Sequence, residues 1–218
     1  MILFLETIFT TAVLVTISRL LFVSQGVPFI GKYYATIFAA LFIYVPVMVL
    51  WLRRRPIDFI DTSAGMFLKG VVAFILSVLV VFPPFLVCSH FWMIIAFGKT
   101  HFALAPFPDF AKTAIFQILL IALPEEFFFR GYMQTTLDRV FRKKWRILGA
   151  ALGWSWIITS VVFAFSHSMV HYRWWHFSIF FPSLLFGWLR EKTGSITAPI
   201  LFHATSNIVS DWIARSYF

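Results

Sequence analysis

The chain has 218 residues, of which 61% are hydrophobic and 20% aromatic, and only 12% are charged. Soluble domains carry about 25% charged residues, so the composition excludes an ordinary soluble domain and predicts a polytopic membrane protein. The formal net charge of +9 does not indicate nucleic-acid binding. The basic residues cluster at the ends of apolar runs, where they anchor membrane helices, and no nucleic-acid-binding motif accompanies them.

The spans are expected to be α-helices, because a bilayer offers no water to an open backbone and the apolar runs do not alternate as barrel strands do. Runs of about 20 apolar residues predict an all-α bundle of about seven transmembrane helices, with six to eight as the range. The first run has no basic leader and no clear cleavage site, so it is interpreted as a retained span rather than a signal peptide. The predicted spans are 2–23, 34–52, 64–87, 111–137, 147–168, 176–189 and 196–214.

Residues 88–110 do not fit a complete span, and a re-entrant or interfacial segment is predicted there. Pro83 and Pro84 are expected to bend or end the third helix. The apolar stretch 91–97 that follows is too short to cross a bilayer. The pattern is then interrupted by Pro106, Pro108 and Asp109.

The distribution of basic residues predicts an orientation. Ten Lys and Arg residues follow the second, fourth and sixth predicted spans, against five on the other side. The positive-inside rule then places the N-terminus in the cytoplasm and the C-terminus outside.

The segment 123–131 carries Glu125, Glu126 and Arg130 inside an apolar run. Each such group costs about 2.5 to 3.5 kcal/mol at a helix centre on insertion scales, so three within six residues indicate a function. Glu126 and Arg130 share a helix face as an ion pair prefers, and Pro124 predicts a helical break just before the two carboxylates. A purely structural ion pair is the alternative.

Two further polar groups lie in later spans. Phe163 and His167 share a face near the end of the fifth span, and His203 and Asn207 share a face in the seventh. Taken alone, an interfacial histidine and a polar clamp between helices are the alternatives. Because intramembrane ionisable residues usually face the bundle interior, all three groups are predicted to converge on one site.

Three motifs, in this order along the chain, resemble the CPBP (CAAX protease and bacteriocin-processing, Abi) family. They are Glu125-Glu126-Phe-Phe-Phe-Arg130, Phe163-Ala-Phe-Ser-His167 and His203-Ala-Thr-Ser-Asn207. These are glutamate-dependent intramembrane proteases, related to type II CAAX prenyl endopeptidases. The resemblance covers about 110–214 and implies a catalytic core over 111–218, preceded by transmembrane helices without a family signature over 1–110. It implies an endopeptidase that hydrolyses a peptide bond near the membrane-embedded C-terminus or leader of a protein substrate.

The resemblance also implies roles for the site residues. Glu125 would be the general base, with His167 orienting the water and helping to deprotonate it, while His203 and Asn207 would stabilise the oxyanion. Glu126 and Arg130 would be the supporting pair, and Phe163 a supporting neighbour; which glutamate is the base stays open. No cofactor is expected, because the zinc motif HExxH is missing from the sequence. Zinc is the alternative, since Glu125, His167 and His203 could form three ligands with an open position for water.

The expected partners are the lipid bilayer and a membrane-anchored or lipidated protein or peptide, with no nucleic acid. Prenylated C-termini, bacteriocin or leader peptides and anchored sorting tails all remain candidates. The expected location is the cell (inner) membrane of a bacterium or archaeon. The alternatives to a protease are a non-catalytic immunity or scaffold protein that keeps the motifs as a clamp, and a small transporter.

The predicted spans do not place the three motifs at one depth. At about 1.5 Å per residue, His167, His203 and Glu126 are expected at depths that differ by about 15 Å or more. Convergence therefore requires tilted or shifted helices, or a span with different bounds.

Overall fold

The computed structural model describes residues 2–107 and 109–218, and within these ranges the chain forms a bundle of seven helical stretches. The first three are the single helices α1 (Ile2–Val23), α2 (Pro28–Leu52) and α3 (Ala64–Phe97). By length and composition, these three can cross a membrane. The predicted all-α bundle of membrane helices is confirmed.

The fourth stretch, 110–140, carries the two glutamates and is called the motif helix. It consists of α4 (Phe110–Phe116), a π-helical segment (Gln117–Ala122), α5 (Leu123–Glu126), a second π-helical segment (Phe127–Gln134) and α6 (Thr135–Val140). Backbone angles remain in the right-handed helical region at every junction. The motif helix is therefore continuous, but it is widened on both sides of the glutamates.

A short β-hairpin follows, with strands β1 (Lys144–Ile147) and β2 (Ala150–Gly153) in antiparallel register. The remaining helices are α7 (Trp154–Val170), a 3₁₀ segment (Trp174–Ile179) that leads into α8 (Phe180–Thr193), and α9 (Thr197–Ser216). In the described part of the chain these complete the seven stretches.

The hairpin corrects the predicted start of the fifth span, because residues 147–153 are not helical. Leu148 and Gly149 have φ values of 50° and 79°, and two consecutive positive φ values form the two-residue turn that joins antiparallel strands. Trp188 Nε1 and Lys192 Nζ donate to the carbonyls of Ile147 and Leu148 at 3.1 and 3.0 Å. These contacts dock the hairpin on the end of α8.

The segment 88–97 is also corrected, since it forms the last turns of α3 rather than a re-entrant piece. Pro83 and Pro84 lie inside α3 without ending it. Their missing N–H groups leave two carbonyls of the preceding turn unpaired, which membrane helices tolerate through local adjustment. α3 ends at Gly98, whose φ of 64° suits a left-handed C-cap.

Smaller boundary differences have local causes. α2 begins six residues earlier than predicted, because Pro28 stands in its first turn, where a missing N–H costs nothing. Pro124 does occupy the first turn of α5, yet the predicted break is wrong, and a π-helical segment precedes it instead. Asp109 caps α4 by accepting from Lys112 N at 3.2 Å, while Pro108 lies outside the described residues.

Ion pairs identify one end of the bundle, which is called the hairpin end. Near the start of α1, Glu6 pairs with Arg53 and Arg55 after α2. Asp58 pairs with Arg139 in the last turn of the motif helix at 2.7 Å. The opposite end holds the end of α1, the start of α2 and the end of α7, where Arg19 donates to the carbonyl of Val170 at 3.0 Å.

The buried core joins the helices before residue 110 to those after it. Phe42 of α2 packs edge-on against Phe128 of the motif helix, with ring centroids 5.5 Å apart. Phe59 packs closely over Gly131, and a Cβ atom added to Gly131 would lie 2.5 Å from the Phe59 ring. The division into 1–110 and 111–218 stays a prediction.

Candidate active site

The buried ion pair of Glu126 and Arg130 lies at the centre of the site. Both side chains are fully buried, Arg130 Nε lies 3.1 Å from Glu126 Oε2, and Nη1 donates to Oε1 at 3.3 Å. The pair forms between consecutive turns of the motif helix, as the four-residue spacing predicts. Neither group meets water, so each depends on the other for its charge balance.

The Nη2 nitrogen of Arg130 binds to α8. Nη2 donates to Ser183 Oγ at 2.7 Å and to the Ser183 carbonyl at 3.0 Å. The rings of Phe163 and Phe186 lie 4.4 and 5.2 Å from the guanidinium carbon, a distance at which the ring faces attract a cation. Arg130 therefore ties the motif helix to α7 and α8.

His203 of α9 completes this group. Its Nδ1 lies 2.8 Å from Glu126 Oε1, and its ring stacks on Phe186 with centroids 4.9 Å apart. A carboxylate accepts this hydrogen bond, so Nδ1 carries the proton. The other nitrogen, Nε2, faces Glu125 Oε2 at 3.9 Å.

Glu125 lies between two imidazoles. Its Oε2 is 3.7 Å from His167 Nε2 and 3.9 Å from His203 Nε2. Both distances exceed a direct hydrogen bond. Oε2 is buried and has no hydrogen-bond partner among the described residues, so it is free to accept a hydrogen bond from a molecule that enters the site.

A backbone contact fixes the orientation of His167. Its Nδ1 lies 2.9 Å from the carbonyl of Phe163, one turn earlier in α7. A carbonyl can only accept, so Nδ1 is the donor, and in a neutral ring Nε2 is a free acceptor directed towards Glu125. The spacing of Phe163 and His167 thus sets the tautomer of His167.

The structure brings residues of different predicted depth to one level. His167 Nε2 of α7 and His203 Nε2 of α9 lie 3.7 and 3.9 Å from Glu125 Oε2. The start of α9 packs against Gly70 in the second turn of α3. α7 ends beside the last turns of α1, where Arg19 donates to the last carbonyl of α7 at 3.0 Å.

Asn207 lies one turn beyond His203 on α9, and its Nδ2 donates to Gln117 Oε1 at 3.1 Å. Gln117 is the first residue of the π-helical segment before the glutamates. The structure therefore brings together Glu125, Glu126, Arg130, Phe163, His167 and His203 through direct contacts, and connects Asn207 to the motif helix through Gln117. The catalytic roles of these residues stay predictions.

Three neighbours were not identified from the sequence: Ser183, Phe186 and Gln117. Ser183 and Gly187 have the four-residue spacing of small residues that lets membrane helices approach closely. A Cβ at Gly187 would lie 2.6 Å from the Trp156 ring, so this pattern was a usable signal. Gln117 was visible as a single amide in an apolar run. Phe186 had no signal among the many phenylalanines.

A cavity of about 250 Å³ reaches Glu125 and His167 from the opposite end of the bundle. Its apolar wall comes from α1, α2 and the motif helix, and includes Val15, Phe38, Phe42, Ile121 and Phe129. Its polar lining comprises Tyr34, Glu125, Ser166, His167, His171 and His176. Glu125 is therefore accessible to a small molecule or a short chain segment without opening the core.

The same residues include the predicted ligands of a metal ion. Within 2–107 and 109–218, no three His, Cys, Asp or Glu side chains are grouped so that they could hold a metal ion. The predicted zinc alternative rests on Glu125, His167 and His203, and metal dependence stays a question for experiment.

The comparisons with known proteins agree with this geometry. Residues 107–209 match the family model "Type II CAAX prenyl endopeptidase Rce1-like". The comparisons with curated proteins and with solved structures found no match. The matched segment contains all three motifs, so residues 107–209 are similar to the Rce1-like type II CAAX prenyl endopeptidases, within a chain that forms a bundle of membrane helices.

Proposed function

We propose that the chain is a glutamate-type endopeptidase in which Glu125 activates a water molecule. The observation that carries this proposal is the buried, unpartnered Glu125 Oε2, which lies 3.7 and 3.9 Å from two imidazole nitrogens. Separations of this size are the ones that a bridging water spans. The same carboxylate borders the cavity, through which water and a peptide bond could reach it.

The first step is proton transfer from water to Glu125. Because His167 Nδ1 is bound to the Phe163 carbonyl, a neutral His167 presents Nε2 as an acceptor for one water proton. Glu125 accepts the other proton as the water oxygen attacks the carbonyl carbon. General-base assistance of this kind contributes about 10²- to 10⁴-fold.

The oxyanion that forms requires donors. His203 Nδ1 is bound to Glu126, so Nε2 can donate only when the ring is an imidazolium. The proposed donors are therefore a doubly protonated His203 and the N–H of Asn207 that remains after the contact with Gln117. Loss of one such donor costs about 10²- to 10³-fold in kcat.

Collapse of the intermediate completes the reaction. The carbon–nitrogen bond breaks, and protonated Glu125 transfers its proton to the leaving amine. The water oxygen stays in the new carboxyl group, whose remaining proton passes to the freed amine. The products are a carboxylate and an ammonium group, and Glu125 returns to its starting state. Glu126 and Arg130 remain an ion pair throughout and hold His203 in place.

We infer that this reaction needs no metal ion, and chelation tests the inference. Activity of purified protein should survive exhaustive treatment with EDTA and 1,10-phenanthroline, and stoichiometric zinc should not be found by elemental analysis. Loss of activity on chelation and its return on addition of zinc would refute the inference and show that the reaction depends on zinc.

The family implies a membrane-anchored, prenylated protein substrate. The cavity extends towards the opposite end of the bundle, whereas most basic residues lie at the hairpin end. If the hairpin end is cytoplasmic, as the positive-inside rule predicts, the cavity faces the other compartment. That geometry favours a membrane-anchored sorting tail over a prenylated cytoplasmic C-terminus.

The experiment is substrate processing in membranes. Wild type and Glu125→Gln are expressed with candidate prenylated and C-terminally anchored substrates, and new C-termini are identified by mass spectrometry. Glu191→Gln is the matched control, because Glu191 bonds Gln134 at 3.0 Å near the hairpin end, outside the site. Processing by wild type and the control, but not by Glu125→Gln, is expected. Equal processing by all three would refute the proposal.

A non-catalytic scaffold is the second candidate, favoured by the way Arg130 joins three helices through Glu126, Ser183 and Phe163. A scaffold would keep its biological effect in Glu125→Gln, because Glu125 makes no direct hydrogen bond through Oε2. The protease would lose it.

A further inference from the structure

The β-hairpin turns one face to the bundle and the other outwards. Ala150 and Leu152 of β2 are buried. Successive side chains of a strand point to opposite faces, so Ala151 between them lies on the outer face. Ala151 pairs with Arg146 of β1, and both residues are exposed. The outer face of the hairpin is therefore open to whatever surrounds this end of the bundle.

Three cations on and beside β1 have no acidic partner within the protein. Arg142, Lys143 and Arg146 are exposed, and no carboxylate of the described residues lies within 4.0 Å of any of them. By contrast, Arg139 and Lys144 in the same region each pair with an aspartate. Arg142, Lys143 and Arg146 are called the hairpin cations. They present a positive surface that the protein itself does not neutralise.

The tip of the hairpin is apolar. Ile147 and Leu148 are 41% and 81% exposed. Leu148 has a φ of 50°, and the two central positions of such a turn favour Asn, Asp and Gly. A leucine at positive φ is uncommon, and its exposed side chain is unfavourable in water. Contact with hydrocarbon would make the same side chain favourable.

Tryptophans place the hairpin at the level of the lipid headgroups. Trp51 at the end of α2 and Trp154 at the start of α7 are both exposed. The Trp145 ring lies 5.5 Å from that of Trp154, and Trp188 Nε1 donates to the Ile147 carbonyl. Tryptophan side chains collect at the boundary between headgroups and hydrocarbon. The hairpin cations can therefore reach lipid phosphates while the tip reaches the acyl chains.

We propose that the β-hairpin is a binding element for anionic phospholipids in the leaflet at the hairpin end, independent of the proposed protease activity. The hairpin cations bind the headgroup phosphates, and Leu148 inserts among the upper parts of the acyl chains. A zwitterionic headgroup carries its own ammonium group, which opposes these cations, whereas phosphatidylglycerol is a net anion. Each Lys or Arg near an anionic surface strengthens binding about fivefold.

The test measures lipid binding to the purified full-length protein by native mass spectrometry. Dioleoyl phosphatidylglycerol and dioleoyl phosphatidylcholine are compared, since they share their acyl chains and differ in headgroup charge. Wild type should bind phosphatidylglycerol about 10-fold or more tightly than phosphatidylcholine. In the triple variant Arg142→Gln/Lys143→Gln/Arg146→Gln this preference should fall to about twofold or less.

The matched control is the triple variant Lys32→Gln/Lys99→Gln/Arg173→Gln. It removes the same charge from the opposite end of the bundle, again from cations without an acidic partner in the described ranges. It should keep the wild-type preference. Leu148→Asn is the second test, because Asn tolerates positive φ and preserves the turn. It should weaken the binding of both lipids about threefold or more through the lost apolar contact.

Equal affinity of wild type for the two lipids would overturn the proposal, as would an unchanged preference in the hairpin triple variant. The same decrease in both triple variants would overturn it too, and would indicate that net charge alone attracts the lipid. Unchanged lipid binding by Leu148→Asn would contradict insertion of the tip. Displacement of the lipid by equal concentrations of glycerol phosphate or of a tetraglutamate peptide would also refute it, and would indicate a soluble anion or an acidic protein segment instead.

Discussion

Replacing Arg130 by Met tests how strongly the buried ion pair stabilises the fold. The substitution keeps an unbranched side chain of similar length but leaves the fully buried Glu126 without its cation. It also removes both hydrogen bonds to Ser183. Breaking one partner of a buried pair costs about 3 to 5 kcal/mol, and we expect a decrease of that size in the free energy of unfolding.

The assay is reversible unfolding in mixed micelles, with a double-mutant cycle. Glu126→Gln is combined with Arg130→Met, and the double variant should lose less stability than the two single changes added together, because neither buried charge is then left alone. Arg215→Met is the control, since the exposed Arg215–Asp211 pair should contribute about 0 to 1 kcal/mol. A cost for Arg130→Met that equals the control, or strict additivity in the cycle, would refute the reasoning.

Three further predictions concern packing, the oxyanion and orientation. Gly187→Val should destabilise the protein by about 1 to 3 kcal/mol because its Cβ would lie 2.6 Å from Trp156, while Gly26→Val, which meets nothing within 4 Å, should have little effect on thermal unfolding. Asn207→Ala should lower kcat about 10²-fold or more, and equal activity of Asn207→Ala and wild type would exclude an oxyanion role. Gln117→Ala should lower kcat less than Asn207→Ala does. Gln117→Glu should preserve more activity than Gln117→Ala. In a Cys88→Ser background, Ser24→Cys should react with an impermeant maleimide on intact cells and Thr62→Cys only after permeabilisation, and the reverse pattern would invert the predicted orientation.

Sequence reasoning succeeded where spacing alone determines geometry. The Glu126–Arg130 pair follows from a four-residue interval on one helix, and the contact of His167 with Phe163 follows from the same interval on α7. The convergence of three polar groups was expected because charges in a membrane turn inward. These inferences needed only the helical period and the cost of exposing charge to lipid.

It failed where tertiary contacts override a local rule. Pro83 and Pro84 do not end α3, and Pro124 is accommodated by a π-helical segment rather than by a break. The hairpin at 144–153 depends on positive φ at Leu148 and Gly149, and positive φ at a leucine has no sequence signal. The common level of His167, His203 and Glu125 depends on how α7 and α9 pack against the other helices, which no local pattern specifies.

Glu125 is the residue on which the proposed reaction depends most, and a single comparison tests its role directly. The kcat of purified Glu125→Gln is measured beside wild type on a substrate that wild type processes in membranes, with thermal unfolding of both as the check on folding. Because the Glu125 Oε2 atom has no protein hydrogen-bond partner to lose among the described residues, the melting temperature should be unchanged while kcat falls about 10²-fold or more. Equal kcat values in two equally stable proteins would contradict the account.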